Sequence, residues 1–283
     1  MLSRDCHDPH EPEGRQPATP YEALEEVGDL HFGADGYSSA LEYYENALRG
    51  LGVEQEFDPT VAARLNRKIS DCYRAKGLLE EAANYLERAR GFLKGYEFEL
   101  EYGIVLGRRA AVLNAQGKHD IALRDANLAL DILKATAAHR EYAFAQRMAA
   151  ISHGRLGRSA EFEQLNLDAL ATYRRIDDQE GVSAVYVNLG LAYKNACQWD
   201  NAIRSLTKAK EICEALGLTR RLSNTLTNLG VVYTKTRDFH EAISHLRRAR
   251  KLVQALGDYA ALVSTLNSLG RVLMLTGRHS QAE

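Results

Sequence analysis

Apolar residues recur at three- and four-residue spacing along most of the chain. Leu226, Leu229 and Val232 form one such stripe, and Ala242 and Leu246 begin another. This spacing places side chains on one side of an α-helix, which can then bury that side against a neighbour. No segment shows the alternation of β-branched and polar residues that favours a strand. The pattern therefore predicts an all-α protein built from amphipathic helices.

The helical pattern itself repeats with a period of forty residues. One frame position, numbered eight here, holds a small residue in every copy, and the first copy is offset by forty-two residues instead of forty. The residues at position eight are Gly28, Ser70, Ala110, Ala150, Gly190, Gly230 and Gly270. A fixed period of this length is typical of repeat proteins whose units stack on one another. The frame predicts about seven repeats over residues 21–283, the last of which ends inside its second helix.

Each repeat is predicted to form two helices joined by a tight turn. Glycines suited to ending helices lie within repeats at Gly77, Gly117, Gly157 and Gly277, and between repeats at Gly52, Gly95, Gly217 and Gly257. Aspartates that can cap a helix N-terminus precede several helices, at Asp58, Asp178, Asp238 and Asp258. Two repeats break the frame, with Arg109 in place of leucine in the third and Phe162 in place of alanine in the fourth. We expect these two repeats to pack irregularly.

The Asn-Leu-Gly segments 188–190 and 228–230, each followed by an alanine twelve residues after the glycine, resemble the tetratricopeptide repeat family. The forty-residue length exceeds the usual ~34 residues of that family. It is similar to the repeat length of Pins-type scaffolds and of sensor regions in bacterial transcription regulators and kinases. The resemblance implies an α-solenoid of antiparallel helix pairs wound into a right-handed superhelix.

Composition and charge narrow the class of protein. The chain has 283 residues, of which 45% are hydrophobic and 26% are charged, as in soluble folded proteins. A net charge of −2 and a pI near 6.5 provide no field that would attract nucleic acid. The chain starts without an apolar signal segment and contains no run of ~18 apolar residues. Together with four scattered cysteines, Cys6, Cys72, Cys197 and Cys213, these features predict a cytoplasmic protein that binds neither nucleic acid nor membrane through this region.

No arrangement typical of catalysis or of cofactor binding stands out. The sequence has no Gly-rich phosphate loop, no paired set of catalytic carboxylates and no Ser/His/Asp order. Cys6, His7 and His10 could be drawn as a metal cluster, but they lie in a segment whose composition predicts a disordered tail over residues 1–20. Trp199 shares its frame position with other ring side chains and is interpreted as a turn-packing residue. We therefore expect a protein that is not an enzyme and holds no cofactor.

The resemblance also indicates which residues face a ligand. In the tetratricopeptide family the first helix of each pair lines a concave groove, and positions two, five, six, nine, twelve and thirteen point into it. These positions are acidic in the first repeat, basic in the second to fourth, and rich in asparagine in the later repeats. The residues expected to contact a peptide are Arg64, Arg67, Lys68, Arg74, Arg108, Arg147, Asn188, Asn195, Asn224, Asn228 and Lys235.

These lining residues suggest what the groove binds. Arginine presents a planar fork to carboxylates, and asparagine can both donate to and accept from a peptide main chain. We expect a protein–protein interaction module that binds an acidic peptide segment of a partner protein. The alternative is a ligand- or peptide-sensing region of a larger signalling or transcription-regulating protein. A structural interpretation of the arginines is also open, in which they pair with acids of neighbouring helices.

Overall fold

The computed structural model describes residues 20–51, 58–96 and 99–277 of the chain. In these ranges the chain forms thirteen α-helices and no strand, as the apolar pattern predicts. The helices are α1 Pro20–Gly33, α2 Tyr37–Leu51, α3 Pro59–Ala75, α4 Leu79–Phe92, α5 Leu100–Ala115, α6 His119–Leu133, α7 His139–Arg155, α8 Ser159–Arg175, α9 Gln179–Asn195, α10 Trp199–Ala215, α11 Thr219–Lys235, α12 Phe239–Ala255 and α13 Tyr259–Leu275. None of these helices is long and apolar enough to cross a membrane. Gly52 and the predicted tail, apart from Pro20, lie outside the described residues.

Helix packing divides the chain into two compact units, one within residues 1–94 and the other within 95–283. The first unit holds α1 to α4, in which α1 packs on α2, α2 on α3 and α3 on α4. Its core is formed by fully or almost fully buried side chains, among them Tyr44, Leu51, Leu65 and Ile69. Two helix pairs of the predicted kind thus share one apolar core.

The second unit holds α5 to α13 and repeats the same pairing four times. Each first helix (α5, α7, α9 and α11) packs on the second helix that follows it, and each second helix packs on the next first helix. Successive first helices also contact one another from α5 through to α13, whereas the second helices of this unit make no comparable contacts among themselves. The first helices therefore lie side by side on one face of the unit, with the second helices behind them.

The small residue at position eight marks the closest approach of the two helices in a repeat. A Cβ atom placed on Gly190 would lie only 2.6 Å from Cγ of Leu206, and one on Gly230 would clash in the same way with Leu246. The leucine in each case is fully buried and lies sixteen residues after the glycine. This contact explains why position eight is glycine in the fifth and sixth repeats.

The helix ends confirm the predicted turns and caps. The side chains of Asp58, Asp178, Asp238 and Asp258 each accept a hydrogen bond from a main-chain N–H of the helix that follows. The turns within repeats place Gly77, Gly117, Gly157 and Gly277 at positive φ. In the fifth and sixth repeats the same place is taken by Cys197 and Arg237, with φ of 57° and 64°. The turn geometry is thus kept even where the residue is not glycine, at some cost in backbone strain.

Ion pairs connect successive first helices of the second unit. Arg140 on α7 donates to Asp178 Oδ2 at 2.8 Å and to Glu180 Oε2 at 3.1 Å, both belonging to the α9 repeat. Arg221 on α11 donates to Glu180 Oε1 at 3.0 Å from the other side. Arg220 pairs with Asp258, the cap of α13. These contacts join residues about one period apart and link successive first helices from α7 to the cap of α13.

The third repeat is irregular in the way its sequence suggests. Arg109, which replaces the usual leucine, donates through one guanidinium nitrogen to Asp125 Oδ2 on α6 at 2.7 Å. The side chains are only 20% and 11% exposed, so the ion pair lies within the interface between the two helices. The equivalent residues of the fifth repeat are Leu189 and Ser205. An ion pair here occupies a place that is elsewhere mostly apolar.

The fourth repeat is irregular through an exchange of large and small residues. Phe162 replaces the alanine of the frame, and its ring lies over Gly154, where an added Cβ would be 2.8 Å from Phe162 Cδ2. Position twenty-four, a leucine in the fifth and sixth repeats, is Asn166. Asn166 is fully buried and donates to the carbonyl of Phe162 at 2.8 Å. The large side chain of this helix, Phe162, therefore lies one helical turn before position twenty-four. The residue it packs on in the facing helix is a glycine, Gly154, which leaves room for the ring.

The close approach at position eight leads to a stability prediction. Gly230→Ala is expected to destabilise the second unit by about 1–3 kcal/mol because the new methyl group overlaps Leu246. Gly107→Ala is the control, since a methyl group there meets only Phe144 Cδ1 at 3.7 Å. That control should be neutral or stabilising by up to about 1 kcal/mol, as alanine favours helix over glycine. The free energy of unfolding of each variant can be measured by urea denaturation followed by circular dichroism. Equal effects of the two substitutions would contradict the proposed contact.

The ion pair of the third repeat predicts strong coupling between two substitutions. Asp125→Ser alone should cost about 2 kcal/mol, because it leaves the guanidinium of Arg109 in a largely buried interface without its carboxylate. Arg109→Leu together with Asp125→Ser recreates the pair of the fifth repeat and should return stability to within about 1 kcal/mol of the wild type. A double-mutant cycle in urea measures the coupling. Additive losses would show that the two side chains do not depend on each other.

Candidate functional site

The candidate site is the surface formed by the first helices of the second unit, α5, α7, α9, α11 and α13, called here the inner face. Seven of the residues expected to contact a peptide lie on these helices, namely Arg108, Arg147, Asn188, Asn195, Asn224, Asn228 and Lys235. The other four, Arg64, Arg67, Lys68 and Arg74, lie on α3 of the first unit.

In the first unit, the basic residues of α3 meet the acidic residues of α1. Arg64 binds Glu25 with two parallel hydrogen bonds, of 2.8 and 2.9 Å, in the bidentate geometry that suits arginine and carboxylate. Lys68 lies 2.7 Å from Glu25 Oε1 and donates to Asp29 at 2.7 Å. Tyr44 on α2 donates to the same Asp29 at 2.6 Å. The acidic first repeat and the basic second repeat thus neutralise each other.

Burial and partners shift the pKa values of this cluster. Burial would raise the pKa of Glu25, but the hydrogen bonds and charges of Arg64 and Lys68 outweigh it, and the pKa lies below its ordinary value of 4.5. Burial, together with the hydrogen bond to Asp29, raises the pKa of Tyr44. The carboxylate of Glu25 is therefore held in its charged form, as a structural ion pair requires.

In the second unit, Arg108 and Arg147 come together over one aromatic ring. The guanidinium of Arg108 lies 4.0 Å from the centroid of Phe144, and that of Arg147 lies 5.0 Å from it. Arg108 also pairs with Glu141 Oε2 at 3.1 Å, and Arg147 hydrogen-bonds to the buried hydroxyl of Tyr173. Stacking on an aromatic face stabilises both cations and holds them in place.

A strip of carboxamides occupies α9 and α11. Lys194 Nζ donates to Asn228 Oδ1 at 2.8 Å, and Asn228 Nδ2 donates to the carbonyl of Asn224 at 2.9 Å. The Nδ2 atom of Asn188 is buried and has no hydrogen-bond partner within the described ranges. Asn195, Asn224 and Lys235 are exposed. Asn228 is thus satisfied internally, whereas Asn188 carries a donor that remains to be satisfied.

Sequence reasoning did not identify the residues that hold these side chains. It missed Phe144 and Glu141 as partners of Arg108, and it described the first repeat as acidic without pairing Glu25 with Arg64. A signal was present, since Glu25 and Arg64 are opposite charges separated by about one period. Phe144 could have been found as the aromatic residue at position two of the frame.

Cys72, Cys213 and Trp199 contribute to the packed cores of the two units. Cys72 is fully buried in the first unit, where burial raises the pKa of its thiol to about 12, and Cys213 is buried in the second. Trp199 packs on the apolar cluster around Leu206 and Leu229 and also borders an open recess of about 390 Å³ at the turn between α9 and α10. Within the described residues, no group of His, Cys, Asp or Glu could hold a metal ion. Cys6, His7 and His10 lie outside those residues.

A family model described as a tetratricopeptide repeat matches residues 181–252 and 221–283 of this chain. No curated protein matches the sequence. The match covers the repeats in which the Asn-Leu-Gly segments occur and agrees with the resemblance drawn from them.

Solved structures of tetratricopeptide proteins share the fold. One is NprR in complex with its cognate peptide NprX, with a TM-score of 0.67 and 13% identity over 93% of this chain and 73% of NprR. A Rap protein complexed with Competence and Sporulation Factor has a TM-score of 0.64 and 16% identity over 93% of this chain and 76% of Rap. A STAND protein with a tetratricopeptide repeat sensor, from Pyrococcus horikoshii, has a TM-score of 0.61 and 16% identity over 91% of this chain. The chain spans 39% of the length of that STAND protein.

The ion pair between α1 and α3 predicts an acid-dependent stability. Glu25→Gln should lower the free energy of unfolding by about 1–2 kcal/mol at pH 7, because Arg64 and Lys68 lose a shared carboxylate. The folded pKa of Glu25 is below 4.5, so this stabilisation is complete above pH 4.5 and disappears as the pH falls through the folded pKa. The difference between wild type and variant should therefore be constant from pH 7 to about pH 4.5 and narrow as the pH is lowered further.

The matched control for this experiment is Glu26→Gln, a neighbouring exposed residue on the same helix. It makes the same chemical change outside the ion pair and should alter stability by less than about 0.5 kcal/mol. A constant difference between wild type and Glu25→Gln across the whole pH range would argue against an ionised Glu25 as the stabilising group.

Proposed function

Because residues 181–283 belong to the tetratricopeptide repeat family and the described chain shares its fold, we propose that the inner face of the second unit binds an extended peptide segment of a partner protein. The observation that supports this most is the carboxamide strip on α9 and α11, and within it the buried amide donor of Asn188. An unsatisfied donor costs about 1–3 kcal/mol, which a ligand that accepts its hydrogen bond would recover. Rotation about χ2, a soft torsion, would present the amide to a main-chain carbonyl.

The rest of the inner face suits a peptide as well. The first helices contact one another and are linked by the ion pairs of Arg140, Glu180 and Arg221. Order that exists before a ligand arrives lowers the entropic cost of binding. Of the proteins whose folds resemble this one, NprR is seen with its cognate peptide and a Rap protein with Competence and Sporulation Factor. Their similarity supports the assignment of the fold, whereas the proposal of a peptide ligand is supported by the carboxamide strip of this chain.

The partner segment is proposed to be acidic. Arg108 and Arg147 place two guanidinium groups over Phe144, with Glu141 beside Arg108. Lys194 and Lys235 add positive charge on the following first helices. This charge would draw an acidic segment and weaken its binding as salt is added.

A regulatory role is the second candidate. The STAND protein with a similar fold uses its tetratricopeptide repeats as a sensor, and the present chain spans only part of it. In that role, peptide binding to the inner face would change the arrangement of an output domain. The two candidates share the binding step and differ in what the bound state does, so the same binding experiment tests both at their first stage.

Asn188→Ala is expected to weaken peptide binding about tenfold, the loss typical of a hydrogen bond with a buried partner. The probe is a set of peptides selected on the wild-type chain from a random phage-displayed library, then synthesised and measured by fluorescence polarisation. Since the lost bond joins neutral groups, the tenfold difference should persist from 50 mM to 500 mM salt.

The control is Asn127→Ala, which removes an exposed carboxamide from α6, a second helix, and should leave affinity unchanged. Failure to select any peptide above background on the wild-type chain would refute the proposed function. Peptides that bind the wild type and Asn188→Ala equally would remove the main support for the inner face.

A further inference from the structure

Two cations at one end of the inner face have no acidic partner among the described residues. Lys194 lies in the last turn of α9 and Arg155 is the last residue of α7. Lys194 Nζ donates to Asn228 Oδ1 at 2.8 Å, and no carboxylate pairs with it. Arg155 is exposed and makes neither an ion pair nor a hydrogen bond in the same ranges. Four of the basic residues predicted to contact a peptide differ in this respect, since Arg64, Lys68, Arg74 and Arg108 each pair with a carboxylate.

The two cations act on each other. Burial lowers the pKa of the Lys194 ammonium, and the charge of Arg155 lowers it further. Since α7 and α9 are in contact, the repulsion acts between neighbouring first helices. Lys194 is also held in one place, because Asn228 accepts from it and is itself fixed by its bond to Asn224. A half-buried, oriented ammonium beside a second positive charge is destabilised by repulsion when no anion is bound. Binding of an anion there is therefore favourable.

We propose that Lys194 and Arg155 form the subsite that receives a carboxylate of the bound peptide, and that this subsite, more than the arginines around Phe144, sets the preference for acidic partners. The proposal rests on the peptide-binding function of the inner face. A carboxylate placed here would accept from Lys194 Nζ and pair with the guanidinium of Arg155. Asn228 would keep the ammonium aimed at it.

The position of the subsite relates the carboxylate to the main-chain anchor. Lys194 follows Asn188 by six residues on α9, which is about 9 Å along the helix at about 1.5 Å per residue. An extended peptide covers this distance in about three residues, at roughly 3.3 Å each. A carboxylate about three residues from the main-chain contact at Asn188 therefore fits the face. It can come from an Asp or Glu side chain or from the peptide's C-terminus.

The test begins with random peptides displayed on phage, selected in parallel on the wild-type chain and on Lys194→Met. Peptides selected on the wild type should be enriched in Asp and Glu over the unselected library, and those selected on the variant should not be. Wild-type binders are then synthesised with each Asp or Glu replaced by its amide, and with a free or an amidated C-terminus. One of these changes should weaken binding to the wild type about tenfold and binding to Lys194→Met less than about twofold. Which change does so identifies the source of the carboxylate.

Two further variants keep the outcome clear. Arg155→Gln changes an exposed residue at a helix end and is not expected to affect folding. It should reduce the tenfold preference for carboxylate over amide to roughly threefold. Lys251→Met, which removes one charge from the exposed surface of α12, should leave it at tenfold. If peptides bind and depend on Asn188 but the wild type and Lys194→Met discriminate carboxylate from amide equally, the subsite is refuted while the proposed function stands. If no peptide is selected on the wild type, the function itself fails.

Discussion

The structure depends on one steric constraint, the close approach between the two helices of a repeat where position eight is glycine. Where Gly190 and Gly230 face Leu206 and Leu246, the glycine leaves room for the leucine side chain to lie against the helix backbone. This contact fixes how far apart the two helices lie and how the first helix is rotated about its axis. The rotation in turn decides which positions of the first helix face away from the second. The inner face is therefore a consequence of core packing.

The sequence carried this constraint in a readable form because it is local. The small residue at position eight recurs about every forty residues, and in the fifth and sixth repeats a leucine follows it by sixteen positions. The helix pairs, turns and caps could therefore be predicted without reference to distant parts of the chain. The partners of charged residues could not be predicted in this way. Whether Arg108 meets Glu141 depends on the register between α5 and α7, which is set by three-dimensional packing and leaves only a weak trace in spacing.

The two irregular repeats show how an array tolerates departures from its frame. In the third, Arg109 enters an apolar place together with Asp125, so that its charge is matched inside the interface. In the fourth, Phe162 enters together with Gly154, so that its volume is matched by a missing side chain. Arg109 and Phe162 could be recognised in the sequence as departures from the repeat pattern. Only the structure shows that Asp125 and Gly154 accommodate them. Each of the two irregular repeats thus matches its unusual residue with a second change on the facing helix.

The ion pairs between first helices have a consequence for how such a chain can change in length. Charge alternates along them, from Arg140 on α7 to Glu180 on α9 to Arg221 on α11. Deleting the forty residues of the middle repeat would bring the two arginines face to face, and duplicating that repeat would do the same to two glutamates. Gains or losses of two repeats at once keep the alternation intact. The units are similar in shape but not interchangeable, because each first helix is matched to the charge of its neighbours.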